Sequence, residues 1–395
     1  MNGKRLRGMD DLNVSQKRVL VRVDFNVPVK NVKVMDDTRI RASLPTIRQL
    51  LSGNARVLLT THLGRPEEGV YDQKYSLAPV AAHLAELLHE EVPLVRHWRR
   101  DKTAIPAGRI VMLENVRFEI GETENADDLA RYLASLCDIY VNDAFATAHR
   151  AQASTHGVAK FAPQACAGPL IIREVDALTR ALANPERPLV AVVGGAKVST
   201  KLTILESLLR VVDQLIVGGG IANTFLAAAG YAIGQSLHEP DLVAVARQLM
   251  DSAKAQGKSI PLPTDVVCGK TFDEATVATV KPVAAIAADD LVMDVGPQTA
   301  QAYARLLDKA KTIVWNGPLG VFEFAAFSQG TQVLTAAIAG SNAFSIAGGG
   351  DTLAAIAKFG ISDKLSYIST AGGAFLEFLE GRELPAIAIL KEKNN

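Results

Sequence analysis

At 395 residues the chain exceeds the roughly 250–300 residues beyond which single cores usually split, so two domains are expected, and a 48% hydrophobic content can fill both cores. Lys plus Arg and Asp plus Glu both number 42, a formal net charge of zero that excludes a global attraction for nucleic acid or anionic membrane. Cys137, Cys166 and Cys268 are odd in number and lack CxxC spacing, which excludes a disulfide framework and a zinc site and fits a reducing cytoplasm.

In chain order, the first ten residues carry basic side chains with no apolar run behind them, so no signal peptide is expected. The apolar run 19–23 reads as a strand, and its exit, Arg22-Val-Asp-Phe-Asn-Val-Pro28, puts Asp24 and Asn26 on one side of an extended segment. A polar turn closed by Pro28 accounts for the same residues. Strands at 57–60, 110–113 and 139–141 follow. Their exits are Thr61-His-Leu-Gly-Arg-Pro66, Glu114-Asn-Val-Arg-Phe118 and Asn142-Asp-Ala-Phe-Ala-Thr-Ala-His-Arg150, and each delivers an arginine. Ligands of open α/β sheets bind at such strand C-termini. Arg39, from Asp37-Thr-Arg-Ile-Arg41, joins Arg65, Arg117 and Arg150 as a candidate anion pocket with His62 beside it. Of the 23 basic residues up to position 170, 16 are Arg, the type suited to bidentate recognition of phosphate or carboxylate.

A helical stretch at 171–182 leads to Ala183-Asn-Pro-Glu-Arg-Pro188, whose two prolines mark a boundary. The strand 189–193 then turns at Gly194-Gly195 into a segment read as helical, carrying Lys197 and Lys201. Spaced by four, the lysines would share a helix face, a repulsive arrangement unless an anion lies between them. The P-loop spacing is absent, so the pattern indicates an anion at a helix N-terminus or two solvated lysines. Further strands are read at 214–217, 259–261, 312–315 and 344–347. Trp315-Asn-Gly-Pro-Leu-Gly-Val-Phe-Glu323 ends in an acid that would accept from a ribose hydroxyl or cap the next segment. Ala347-Gly-Gly-Gly-Asp-Thr352 offers glycine amides to phosphates, and Asp351 would hold Mg²⁺ or cap the following helix. The uncharged stretches 214–237 and 324–350 are long enough to span a membrane, but their Gly, Asn, Gln, Ser and Thr residues read as buried strand-turn-helix. No G-x-G-x-x-G is completed, because Asn223 and Leu353 occupy the last position, which disfavours a nicotinamide dehydrogenase. Strands alternating with helices predict an α/β chain with two doubly wound parallel sheets.

Five motifs, Arg22-Val-Asp-Phe-Asn-Val-Pro28, His62-Leu-Gly-Arg65, Gly194-Gly-Ala-Lys197, Trp315-Asn-Gly-Pro318 and Gly349-Gly-Asp-Thr352, resemble in this order the phosphoglycerate kinase family, over nearly the whole chain. The resemblance implies two Rossmann-like domains joined by a hinge: residues 1–170, a connecting helix and hinge at 171–188, and residues 189–376, with a tail at 377–395 packing back on the first domain. It implies 3-phosphoglycerate bound by Asp24, Asn26, Arg39, His62, Leu63, Gly64, Arg65, Arg117 and Arg150. It implies MgATP or MgADP bound by Lys201, Glu323, Gly349, Gly350, Asp351 and Thr352, with Asp351 at the metal and Arg39 and Lys197 catalytic. The implied activity is reversible phosphoryl transfer between 1,3-bisphosphoglycerate and ADP, in glycolysis and gluconeogenesis, by a cytoplasmic monomer. Ala371, Phe375, Gln152 and Ile171-Ile-Arg-Glu174 depart from the commoner family residues. The alternative from another class is a non-catalytic nucleotide or phosphometabolite-binding protein, against which the joint presence of Arg39, Lys197, Lys201 and Asp351 argues.

Overall fold

The structure, a computed structural model, describes residues 5–100, 105–106 and 108–393. The first four residues of the N-terminal stretch and the last two of the tail lie outside them. The chain divides into two compact units, one drawn from the chain up to Val175 together with the segment from Glu383 onward, the other running from Asp176 to Arg382.

In the first unit, β1 (Arg18–Arg22) leads to the hairpin β2 (Val29–Lys30) and β3 (Lys33–Val34), then to α1 (Thr38–Ser52) and β4 (Arg56–Thr60). Next come α2 (Ala78–Leu88), β5 (Leu94–Val95), β6 (Ile110–Leu113), α3 (Asp127–Ser135), β7 (Ile139–Asn142), α4 (Val158–Phe161), β8 (Gln164–Ala167) and α5 (Pro169–Leu182), whose residues from Asp176 onward belong to the second unit. Six strands form one sheet in the order β5-β6-β4-β1-β7-β8, and every pairing in it is parallel. The four longest internal runs became strands because Val, Ile and Leu are buried on both faces there, as a helix-covered parallel sheet demands. The order in which strands are added reverses between β1 and β7, the switch point where such sheets bind ligands. The C-terminal helix Pro385–Lys393 belongs to this unit, and Ala386 N donates to Ala148 O at 3.1 Å.

The second unit contains β9 (Leu189–Gly194), α6 (Leu202–Val211), β10 (Gln214–Gly218), α7 (Gly219–Ala228), α8 (Val243–Ala255), β11 (Asp265–Gly269), β12 (Thr279–Pro282) and β13 (Leu291–Val295). It continues with α9 (Pro297–Lys309), β14 (Thr312–Asn316), α10 (Gln329–Gly340), β15 (Phe344–Gly348), α11 (Gly350–Phe359), β16 (Tyr367–Ser369) and α12 (Gly372–Leu379). Its parallel sheet has the order β10-β9-β14-β15-β16, with the switch between β9 and β14. A separate antiparallel sheet, β12-β11-β13, was not anticipated; β12 is largely exposed and shows no apolar run. The strand expected at 259–261 reduces to one bridge between Ser259 and Gln214. Residues 377–382, expected in the returning tail, stay with the second unit: Leu379 is buried and Ser207 Oγ donates to Glu380 O at 2.7 Å. No helix among the described residues is long and apolar enough to cross a membrane.

One buried acid fixes much of the second unit. Asp294, on β13, accepts from Val295 N at 2.9 Å and Gly330 N at 2.7 Å. A Cβ on Gly320 or Gly330 would lie 2.3 Å from its Oδ1, so the loop after β14 and the start of α10 fit around this carboxylate. Burial pushes its pKa up to about 7. The folded protein thus holds a proton that the unfolded chain has released, a contribution present below the ordinary aspartate range and lost as pH rises through about 7. Relative to an Asp294→Asn variant, neutral throughout, the wild type should lose stability between about pH 5 and about pH 8. Urea midpoints of both proteins at the two pH values test this; a difference that does not change with pH refutes it.

Candidate functional site

The first unit gathers its predicted residues at the C-terminal ends of β1, β4, β6 and β7. Asp24, just past β1, accepts from Arg39 Nη1 at 2.7 Å and from Asn26 N at 3.2 Å. Arg39, in the first turn of α1, thereby faces the strand exits. Asn26 Oδ1 accepts from Gly64 N at 2.9 Å, tying the β1 exit to the β4 exit. Gly64 is at φ +62, and a Cβ there would strike the Tyr75 ring at 2.3 Å, so the turn demands glycine. Gly64 O accepts from Arg117 Nη1 at 2.5 Å, which aims the β6 arginine across the turn. Leu63 is brought near only through its backbone: its side chain joins the core, and its carbonyl accepts from Asn115 Nδ2 at 2.8 Å.

An open pocket of about 350 Å³ lies between Arg65, Pro66, Glu68, Arg117, Thr123, Arg150 and Gln152. Its electrostatics are one-sided. Burial, together with Arg150, Arg22 and Arg65, holds the Arg117 guanidinium down to about 10, with Glu122 opposing them. Arg22, wholly buried, donates through Nε to Ser154 Oγ at 2.9 Å, and Ser154 in turn donates to both oxygens of the buried Glu122. His62 is pushed well below its ordinary pKa, first by burial and then by Arg22, Arg117, Arg150 and Arg39. It is therefore neutral, and its Nδ1 accepts from Arg22 Nη2 at 3.2 Å. The 3.9 Å approach of Nδ1 to Asp24 is accordingly not an ion pair. Arg22, Glu122 and Ser154 were missed as site residues. Arg22 stood inside a quoted motif, whereas Glu122 and Ser154 carry no local signal.

In the second unit three chain segments interlock at the sheet's switch point. A Cβ on Gly194 would lie 1.8 Å from Pro318 O, and one on Gly317, at φ +108, would lie 2.3 Å from Gly194 O. Asn316 connects two further elements: its Nδ2 donates to Gly348 O at 2.7 Å and its Oδ1 accepts from Lys201 Nζ. Thr352 Oγ1 accepts from Gly317 N at 2.8 Å and donates to Gly348 O at 2.9 Å, so its hydroxyl is committed to the scaffold. Gly349, at φ +100, opens α11, leaving the first-turn amides of Gly350, Asp351 and Thr352 outside the helical ladder.

The lysine turn corrects the sequence reading. Residues 195–201 are not helical: α6 begins at Leu202, and Lys201 is its N-cap residue. Lys201 is held by Asn316, its pKa lowered by burial with Asp351 opposing. Lys197 is exposed; its carbonyl accepts from Thr200 Oγ1 at 2.9 Å and its charge helps hold the Glu239 carboxyl low, while its ammonium makes no hydrogen bond or ion pair among the described residues. Asp351 and Glu323 do not cap helices, since the caps at those places are Gly349 and Phe324. Glu323 is exposed. Asp351 is also exposed, in the first turn of α11, and no group of three His, Cys, Asp or Glu gathers among the described residues. One free carboxylate beside helix amides fits Mg²⁺, which usually takes one or two carboxylates, with phosphates and water completing its shell. Ala371 needs no glycine, since its φ is −100. Phe375 packs beneath the glycine loop after β15, where a Cβ on Gly348 would meet its ring at 2.7 Å.

Residues 9–382 match the family model described as phosphoglycerate kinase. The structure of phosphoglycerate kinase from Coxiella burnetii is 55% identical, with a TM-score of 0.96, covering 99% of this chain and 100% of that one. Phosphoglycerate kinase from Pyrococcus horikoshii OT3 is 35% identical, with a TM-score of 0.79 and 98% of both chains covered. Glycine-locked turns at one switch point, arginine-lined strand ends at the other, and a family match over nearly the whole length agree: the chain belongs to the phosphoglycerate kinase family of ATP-dependent phosphotransferases of glycolysis.

Proposed function

We propose that the first unit binds 3-phosphoglycerate through Asp24, Asn26, Arg39, His62, Arg65, Arg117 and Arg150, with Gly64 shaping the turn. The second unit binds ATP or ADP through Lys201, Glu323 and the Gly349–Thr352 loop. The observation that carries this reading is the cationic surplus of Arg22, Arg65, Arg117 and Arg150, with Glu122 the carboxylate set against them. Such a pocket calls for a ligand with more than one negative charge. Asp351 would hold Mg²⁺, which would supply charge neutralisation at the phosphates.

The chemistry asks little of a general base. The acceptor is a carboxylate and carries no proton to remove, so the residues need only position it and neutralise charge. A neutral, buried His62 suits that role as a hydrogen-bonding wall. Arg39 orients the acceptor carboxylate, releasing Asp24 as it does so. Lys201, fixed by Asn316, meets the nucleotide phosphates, and the untethered Lys197 follows the phosphoryl group in flight. Because donor and acceptor belong to different units, transfer requires them to be brought into line with water excluded, and we assign the hinge to residues 171–188. A cytoplasmic monomer acting on small molecules, without nucleic acid or membrane, fits the neutral net charge and the three free cysteines.

A coupled assay for ADP formed from ATP and 3-phosphoglycerate separates this from a binding protein on the same fold; no turnover refutes it. Lys197→Ala should lower turnover by about 10²-fold or more while nucleotide still binds, because an exposed, unpaired lysine contributes little to folding. Near-normal turnover removes its role. Arg39→Ala should reduce turnover far more than thermal stability, since its ion pair with Asp24 is partly exposed and worth on the order of 1 kcal/mol or less. Unchanged kinetics in that variant would count against the assignment.

A further inference from the structure

We propose that Gln152 is a further substrate-binding residue, supplying an uncharged hydrogen-bond donor to the phosphate group of the acceptor. This rests on the reading of the arginine pocket as the 3-phosphoglycerate site.

Three observations lead there. Gln152 lines the pocket with Arg65, Arg117 and Arg150, yet only 5% of its surface is exposed. Its side-chain Oε1 is buried without a hydrogen-bond partner, and so is Arg117 Nε on the same wall. Buried polar groups are normally paired, because leaving one unmade costs roughly 1–3 kcal/mol. Two such groups on one pocket wall mark a place completed by something other than the chain. The terminal torsion of glutamine is broad and roughly two-fold, so its oxygen and NH₂ ends exchange at little cost in shape. Facing an anion among three guanidiniums, the NH₂ end is the one electrostatics selects, and Arg117 Nε makes the same demand for an acceptor.

The backbone supports a precise role. Gln152 N donates to Thr155 Oγ1 at 3.2 Å, while its carbonyl accepts from Thr155 N, His156 N and Gly157 N at 2.8–3.2 Å. It thus heads the π-helical turn Ala153–Gly157, a form that recurs at functional sites. Ser154 in that turn is the residue that holds Arg22. The carboxylate on the pocket wall does not compete for the donors, since Glu68 accepts from Gly121 N, Thr123 N and Thr123 Oγ1 at 2.6–2.9 Å. An amide also keeps the pocket's charge constant with pH, where a histidine at this place would titrate.

The test compares Gln152→Leu, Gln152→Glu and Gln152→His in the full chain. The Leu variant should raise the KM for 3-phosphoglycerate about tenfold and the Glu variant about a hundredfold, with the KM for ATP and the thermal midpoint unchanged. The His variant, which restores a donor of similar reach, should stay within a few-fold of wild type. Calorimetric titration with 3-phosphoglycerate alone should give the same ranking of affinities. Leu and Glu variants with wild-type KM and affinity overturn the proposal, as does a loss of ATP affinity equal to that for 3-phosphoglycerate. Should the Leu variant not fold, the Glu and His pair decides by the same criteria. Failure of the wild type to turn over 3-phosphoglycerate is a different result, and refutes the pocket's assignment rather than the role of Gln152.

Discussion

The first unit depends on holding like charges together. Arg22, Arg65, Arg117 and Arg150 converge with the buried carboxylate of Glu122 to oppose them, and burial, with the repulsion of the other three second, lowers Arg117 to about 10. Such a cluster is held together by fixing its less exposed guanidiniums with something other than charge, while Arg65 is exposed. Arg22 is fixed by Ser154, Arg117 by the carbonyl of Gly64, and Arg150 by His149 through a 3.1 Å contact. The same field and the same burial keep His62 neutral, so it adds no further charge. What remains is a preorganised demand for an anion, with the reorganisation completed during folding rather than at binding.

The anion site proposed for the second unit is built by the opposite route, with backbone rather than side chains. Gly194, Gly317 and Gly349 allow three loops to approach more closely than any Cβ permits, and Asn316 and Thr352 join them from within. The result is a small surface of glycine amides and a helix N-terminus, with one lysine pinned in place. Amides are partial charges in fixed positions, suited to a polyphosphate that brings its own cation. Guanidiniums are full charges with planar geometry, suited to a small acid that arrives with no metal.

The long parallel strands were legible because burial on both faces leaves unbroken Val, Ile and Leu runs. The two-residue β5, the exposed β12 and the short β16 leave no such trace, since neighbouring strands decide their pairing. Arg65, Arg117 and Arg150 were legible because a residue following a strand has a determined destination in an open α/β sheet. The Arg22, Ser154 and Glu122 connection was not, because it joins residues far apart in sequence through a buried hydrogen-bonded chain. Periodicity cannot report such a contact. Phe375 shows the reverse case: a residue that looked out of place in a motif is accounted for by the space beneath Gly348, which its ring fills.

Lys197 and Lys201 show how a local misreading alters the setting of two charges without altering the roles proposed for them. On one helix face they would lie side by side, a repulsive arrangement unless an anion lies between them. The chain instead turns through residues 195–201 before α6 begins, and that separates their fates. Lys201, partly buried and held by Asn316, has little freedom and a lowered pKa, the state of a charge placed in advance of its ligand. In the proposed mechanism the exposed Lys197, whose ammonium makes no hydrogen bond or ion pair among the described residues, changes the atom it neutralises as the phosphoryl group moves. Under the proposed assignment the two cations divide the work, one fixed to bind and one free to accompany the charge as it moves between oxygens. The non-helical turn is what permits them to differ.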